Sequence, residues 1–123
     1  MARVLVIEDE APLRANLVRI LSAEGHEVAS AADGDEGLRH AREARPELVI
    51  CDILMPRVDG YAVLAGLRSQ PETAGIPFIF LTASADRDDL ARGLQSGAND
   101  YVTKPFKIAD LLAAVKRQLP GGR

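Results

Sequence analysis

The 123 residues carry fifteen Lys and Arg against eighteen Asp and Glu, a net charge of −3 with both signs mixed along the chain. That balance speaks against a nucleic-acid surface, where phosphates must be met by a basic excess or patch. The length suits one domain with a real hydrophobic core, and a single cysteine, Cys51, with only His26 and His40 as imidazoles, excludes an internal disulfide and argues against a Cys/His zinc site.

The first predicted element is a strand from Arg3 to Ile7. Glu8, Asp9 and Glu10 cut its apolar run far short of a signal or membrane-spanning segment, so a cytoplasmic address is expected. Leu13, Leu17, Ile20 and Leu21 then recur at helical spacing after an acidic start containing Pro12, and Gly25 supplies a stop. Glu27 to Ala31 reads as a second strand, and Glu27 and Ser30 mark it as an edge. Asp33-Gly34 leads into a helix over Asp35 to Ala44. Leu48 to Cys51 is a third strand, followed by a helix from roughly Tyr61 to Ser69 that ends before Pro71. Phe78 to Leu81 is a fourth strand. A helix from Asp88 to Ser96 ends at Gly97, and Tyr101 and Val102 with their neighbours form the fifth strand. The last helix places Ile108, Leu111, Leu112, Val115 and Leu119 on one stripe, with Lys107, Lys116 and Arg117 off it, as for an amphipathic helix lying on a sheet. The expected domain is 1–119, and residues 120–123 read as a tail or the start of a linker.

Four of the five strand runs are almost wholly apolar, which suits a parallel sheet covered on both faces. Strand and helix alternate five times, the signature of an open α/β sheet with right-handed crossovers. In such sheets sites form at the carboxyl ends of the strands. Glu8 and Asp9 follow the first strand, Asp52 ends the third, Thr82 follows the fourth and Lys104 the fifth. Taken singly, each has an ordinary explanation. The acids could be solvated charges or helix N-terminal acids, Asp52 could cap a turn containing Pro56, Asp59 and Gly60, Thr82 could cap the next helix less well than Ser84 or Asp86, and Lys104 could be an exposed loop lysine. Together these explanations need four coincidences at one sheet edge. Clustered acids repel unless a cation is present, and carboxylates with few other ligands suit magnesium. A carboxylate can also act as a phosphoryl nucleophile, with the metal and Lys104 neutralising charge and the Thr82 hydroxyl donating to an oxygen. Cys51 is given no role.

The runs VLVIEDE, VICDILMPRVDGY, LTASAD and YVTKPF, in this order and spacing, closely resemble the receiver domains (CheY-like) of bacterial two-component response regulators, from Val4 to about Leu119. The resemblance implies a flavodoxin-like doubly wound fold, a five-stranded parallel sheet of order 2-1-3-4-5 with helices on both faces. It implies that Asp52 is the phosphoacceptor and that Mg2+ is held by Asp9, Asp52 and the backbone carbonyl of Leu54, with Glu8 acting through water. It implies that Lys104 contacts the phosphoryl group, that the Lys104–Pro105 bond is cis, and that Thr82 and Tyr101 form the pair that responds to phosphorylation. The apolar Leu54 stands where side chains in this family influence water access to the phosphoryl group.

The function expected from this resemblance is a signalling switch in a phosphorelay, with no catalysis beyond its own phosphorylation and dephosphorylation. Its phosphodonor would be a sensor histidine kinase or phosphotransfer protein, and its output a downstream protein or a fused output domain. The final helix carries Ala113 and Ala114 at its middle, where receivers of the winged-helix transcription factors carry arginines that pair across a dimer. The isolated chain is therefore expected to be mainly monomeric, to bind no nucleic acid and no membrane, and to present its last two helices and fifth strand to a protein partner. Three alternatives stand beside this reading. A magnesium-dependent phosphohydrolase with an aspartyl-phosphate intermediate would show turnover of small phosphate esters, yet Glu8-Asp9-Glu10 replaces the D-x-D of haloacid-dehalogenase-like enzymes. A flavodoxin would need a hydroxyl- and glycine-rich loop where these three acids stand. A pseudo-receiver would take up no phosphoryl group.

Overall fold

A strand that is covered on both faces must send alternate side chains into two separate cores. In the computed structural model, which describes residues 2–83 and 87–119 apart from the Arg87 side chain, the chain does this on five strands. In order along the chain, the elements are β1 (Arg3–Ile7), α1 (Ala11–Ala23), β2 (Glu27–Ala31), α2 (Gly34–Ala44), β3 (Leu48–Asp52), α3 (Gly60–Arg68), β4 (Phe78–Thr82), α4 (Arg87–Gln95), β5 (Asp100–Thr103) and α5 (Ile108–Gln118). All strand pairs are parallel, in the order β2-β1-β3-β4-β5. Residues 84–86 of the LTASAD run, including the alternative caps Ser84 and Asp86, and residues 120–123 of the expected tail lie outside the described residues.

On one face Val4, Val6, Leu48, Ile50, Ile79, Leu81 and Val102 pack against Leu17 and Leu21 of α1, against Leu111, Ala114 and Val115 of α5, and against Leu119 just after it. On the other, Leu5, Ile7, Val49, Cys51, Phe78 and Phe80 pack against Ala41 of α2 and Val63, Leu64 and Leu67 of α3. Every residue of β3 and β4 is buried, as central strands require, whereas β2 shows the mixed exposure of an edge. Ile108 departs from its expected place on the buried stripe. It is the first residue of α5 and 53% exposed, so the apolar contact begins one turn later, at Leu111.

Local chemistry sets the helix ends. Asp33 accepts from the Glu36 N–H at 2.8 Å and Asp59 from the Ala62 N–H at 2.9 Å, each supplying the oxygen that an N-terminal turn lacks. After α1 the chain turns through Gly25 at φ 88°, a conformation that only glycine adopts without strain.

Register decides what meets at the carboxyl edge. Ile7 stands opposite Cys51, Asp52 opposite Leu81, and Thr82 opposite Thr103. The ladder continues past the strands, with the Ile53 N–H donating to Leu81 O at 3.1 Å and the Lys104 N–H to Thr82 O at 2.7 Å. The ends of β1, β3, β4 and β5 are thereby level. Sheet order reverses between β1 and β3, because the chain leaves β1 toward β2 on one side and returns to β3 on the other. A crevice opens there.

Candidate functional site

The crevice holds the residues singled out at the strand ends. Glu8 leaves β1 with its side chain fully buried, Asp9 follows exposed, and Asp52 closes β3 at 5% exposure. A carboxylate oxygen from each of Glu8, Asp9 and Asp52 lies within 4.8 Å of the other two. Lys104 reaches in from the loop after β5, its Nζ 3.2 Å from Glu8 Oε1 and 3.2 Å from Asp52 Oδ2. The Lys104–Pro105 bond is cis. Thr82 ends β4 with 6% exposure, and Leu54, two residues past Asp52, projects outward at 74%. Tyr101 is half-buried on β5, opposite Phe80, and packs against the cluster under α2 and α3.

One ammonium thus faces three carboxylates. Glu8 Oε2 accepts from the Glu10 N–H at 3.1 Å, but the buried Oε1 receives no hydrogen bond, because Lys104 lies at ion-pair distance without the alignment of a donor. Burial pushes the Glu8 carboxyl from its usual 4.5 up to about 7, and the nearby Asp52 charge adds to the push, against the Glu10 N–H and Lys104. Burial works against the Lys104 charge, yet Asp52 and then Glu8 outweigh it and hold its pKa above the ordinary lysine value. Burial drives the Cys51 thiol up, away from the reactive thiolate, in keeping with a packing role. A buried carboxylate oxygen that accepts no hydrogen bond and has only the Lys104 ion pair, beside two more carboxylates, is a ligand set for a hard cation with few protein ligands, and Mg2+ fits it.

The Glu8 shift has a measurable consequence. The folded chain holds this proton more tightly than the unfolded chain, so the contribution is complete below about pH 4.5 and is lost as the pH rises to about 7. In chelator, the melting temperature of the native protein should therefore fall relative to that of Glu8→Gln across this window. A constant difference between the two across the series would show that Glu8 does not carry the effect.

Next to the site, between Leu54 and Thr82 on one side and Tyr61 and Arg92 on the other, is an open hollow of about 340 Å³. The Arg92 guanidinium sits 4.2 Å from the centre of the Tyr61 ring, which in turn packs on Phe80 with centroids 5.1 Å apart. This stack ties α4 to α3 and to the strand that ends in Thr82. The sequence singled out none of these three residues, nor Arg14, whose Nη1 donates to the Glu8 carbonyl at 2.8 Å. The one signal for Arg14 was its place a helical turn after the acid run.

Comparison with known proteins bears on both fold and function. The response regulator receiver domain family matches residues 4–116. The transcriptional regulatory protein PrrA of Mycobacterium tuberculosis is 44% identical over 117 residues, covering 95% of this chain and 49% of that protein. The DNA-binding response regulator MtrA of the same organism is 41% identical over 117 residues, covering 95% of this chain and 50% of that protein. The chain spans about half the length of the curated relatives it matches. Among solved structures, the chemotaxis protein CheY4 of Vibrio cholerae superposes with a TM-score of 0.91 at 33% identity, over 97% of this chain and 99% of that one.

The relatives overturn one expectation, that of a mainly monomeric chain that signals to a protein partner and has no direct nucleic-acid binding. PrrA and MtrA are a transcriptional regulator and a DNA-binding regulator, and the chain corresponds to only half of each. Two physical reasons explain the error. The balanced charge of this chain describes its own surface and is silent about any other module. The alanine pair on α5 is also divided: Ala114 is 1% exposed and packs in the core, so it occupies no position where a surface charge could stand, and only Ala113 lies at the surface. The exposed side of α5 does carry an ion pair, Arg117 to Asp100 at 2.9 Å. Among the described residues, no helix is long and apolar enough to cross a membrane.

Proposed function

Because the chain belongs to the response regulator receiver domain family, we propose that it is a phosphorylation switch in which Asp52 takes a phosphoryl group from a histidine kinase or phosphotransfer protein. The observation that carries this reading is the Lys104 ammonium set 3.2 Å from Asp52, among the carboxylates of Glu8 and Asp9. Residues 1–119 make up the receiver, and residues 120–123 are a tail or the start of a linker. The similarity to PrrA and MtrA favours a DNA-binding output in the whole protein, controlled by this domain. A cytoplasmic location follows from that role.

Asp9, Asp52 and the Leu54 backbone carbonyl would hold Mg2+, with Glu8 acting through water. When bound, the ion offsets the carboxylate charge and the charge on the transferring phosphoryl oxygens. An Asp52 carboxylate oxygen attacks phosphorus, its new O–P bond forming as the donor's P–N or P–O bond breaks, and the departing group keeps the electron pair. Asp52 needs no separate general base, because a carboxylate is itself a nucleophile. Lys104 gives up its contact with Asp52 and binds a phosphoryl oxygen, which costs little because it exchanges one anion for another. The Thr82 hydroxyl donates to another phosphoryl oxygen, drawing the end of β4 toward the site. Tyr101, on the neighbouring strand, follows by turning inward. The exposed Leu54 stands where a side chain influences how water reaches the phosphoryl group and so bears on its lifetime.

The test is to incubate the protein with Mg2+ and a small-molecule phosphodonor. Intact mass should rise by one phosphoryl group, and peptide mapping after borohydride reduction should place it on Asp52. No gain, or a gain at another residue, would overturn the assignment, and sustained turnover of phosphate esters would point instead to a phosphohydrolase.

A further inference from the structure

We propose that Arg14 is a positioning residue for the divalent cation, holding the Glu8–Asp9 main chain in the shape that brings both acids beside Asp52. The inference rests on the receiver reading above. Arg14 Nη1 donates to the Glu8 carbonyl at 2.8 Å and lies 3.5 Å from the Asp9 carbonyl, so one guanidinium nitrogen spans two consecutive carbonyls of the acid turn.

The turn depends on such a tie. Glu10, the N-cap of α1, makes no side-chain cap bond. Glu8 is secured at its N–H by Ala31 O at 3.1 Å and at its side chain by the Glu10 N–H at 3.1 Å. Among the described residues, no hydrogen bond or ion pair holds the exposed Asp9 carboxylate, so the backbone decides where its Cα–Cβ bond points and which positions the carboxylate can reach. Arg14 grips that backbone on both sides of the Asp9 Cα. It forms no ion pair with Glu8, Asp9 or Glu10, and acts on carbonyls rather than carboxylates.

This separates positioning from simple charge. A cation near a metal site repels the metal, so if charge were all Arg14 contributed, removing it would tighten Mg2+ binding. If Arg14 holds the turn, removing it loosens binding. Arg14→Met keeps an apolar stem and the helix propensity of the side chain but neither the charge nor the donors. Mg2+ titrated into the full chain, followed by amide chemical shifts, should bind this variant about 10-fold more weakly, the scale on which partners behind a ligand act. The Mg2+ concentration for half-maximal phosphoryl uptake should rise equally, while the rate at saturating Mg2+ stays near that of the native protein. Equal or tighter Mg2+ binding by the variant overturns the proposal. Should Arg14→Met not fold, Arg14→Gln, a good helix former too short to reach the Glu8 carbonyl, decides by the same criterion. If the unsubstituted chain binds no Mg2+, the receiver reading and this inference fall together. Native binding with unchanged affinity in the variant removes the inference alone.

Discussion

Asp52→Asn should abolish phosphoryl uptake while leaving the fold in place. The amide has the shape of the carboxylate but no charged oxygen to attack phosphorus, so the loss should reach the detection limit rather than a fraction of the native rate. Folding should survive because the substitution removes charge from a crowded site. Asp52 is 5% exposed and lies in a cluster with Glu8 and Asp9. Its charge is one of the causes that push the Glu8 carboxyl up, after burial. In the variant, Glu8 should titrate closer to its ordinary value, since Lys104 no longer has two buried carboxylates to serve. Intact mass after exposure to phosphodonor reads the first expectation, and thermal melting with carboxyl chemical shifts reads the second. Undiminished labelling of the Asn variant would remove Asp52 from the mechanism, and an unchanged Glu8 titration would mean that the Asp52 charge does not contribute to it.

Gly60→Ala should give the largest loss of stability of any single methyl added near the site. A Cβ at this position would stand 2.5 Å from the Asp52 carbonyl oxygen and 2.8 Å from Ile53 Cα, with Phe80 at 3.0 Å. Two of these three neighbours are backbone and cannot swing aside. The Gly60 N–H also donates to the Ile53 carbonyl at 2.8 Å, closing the loop between β3 and α3, so the loop cannot open without losing that bond. Overpacking of this kind typically costs 1–3 kcal/mol, and rigid neighbours put the expected value at about 3. The displaced atoms belong to Asp52 and the residue after it, so phosphoryl uptake should slow as well. Chemical denaturation measures the first effect and labelling kinetics the second. A variant as stable as the native chain would mean that the loop has slack.

Much of this architecture was legible in the sequence because its signals are local. The unbroken apolar runs of β1, β3 and β4 require cover on both faces, which specifies a parallel sheet with helices on either side. Glu27 and Ser30 identified β2 as an edge, and Gly25 marked the end of α1. The residues just past each strand could therefore be named from the order of elements alone, and the motif resemblance supplied the strand order and an expected role for each.

Distances and environments were another matter, because they are sums over parts of the chain far apart in sequence. Register across four strands, not any one strand, brings Lys104 to 3.2 Å from both Glu8 and Asp52. Full burial of Glu8, and the rise of its pKa to about 7, depends on everything packed around β1. The reach of Arg14 back to the Glu8 carbonyl and the stack of Arg92 on Tyr61 arise from helix placement that no spacing encodes. Ala114 and Ile108 make the same point from opposite sides. By pattern the first looked like a missing surface charge and the second like core, yet the sheet under α5 buries Ala114 and leaves Ile108 half exposed. Residue order and periodicity determined the fold class and which residues stand at the strand ends, and the motif resemblance added the strand order, whereas register, helix docking and the desolvation they impose decided which of those residues touch and how strongly each is charged.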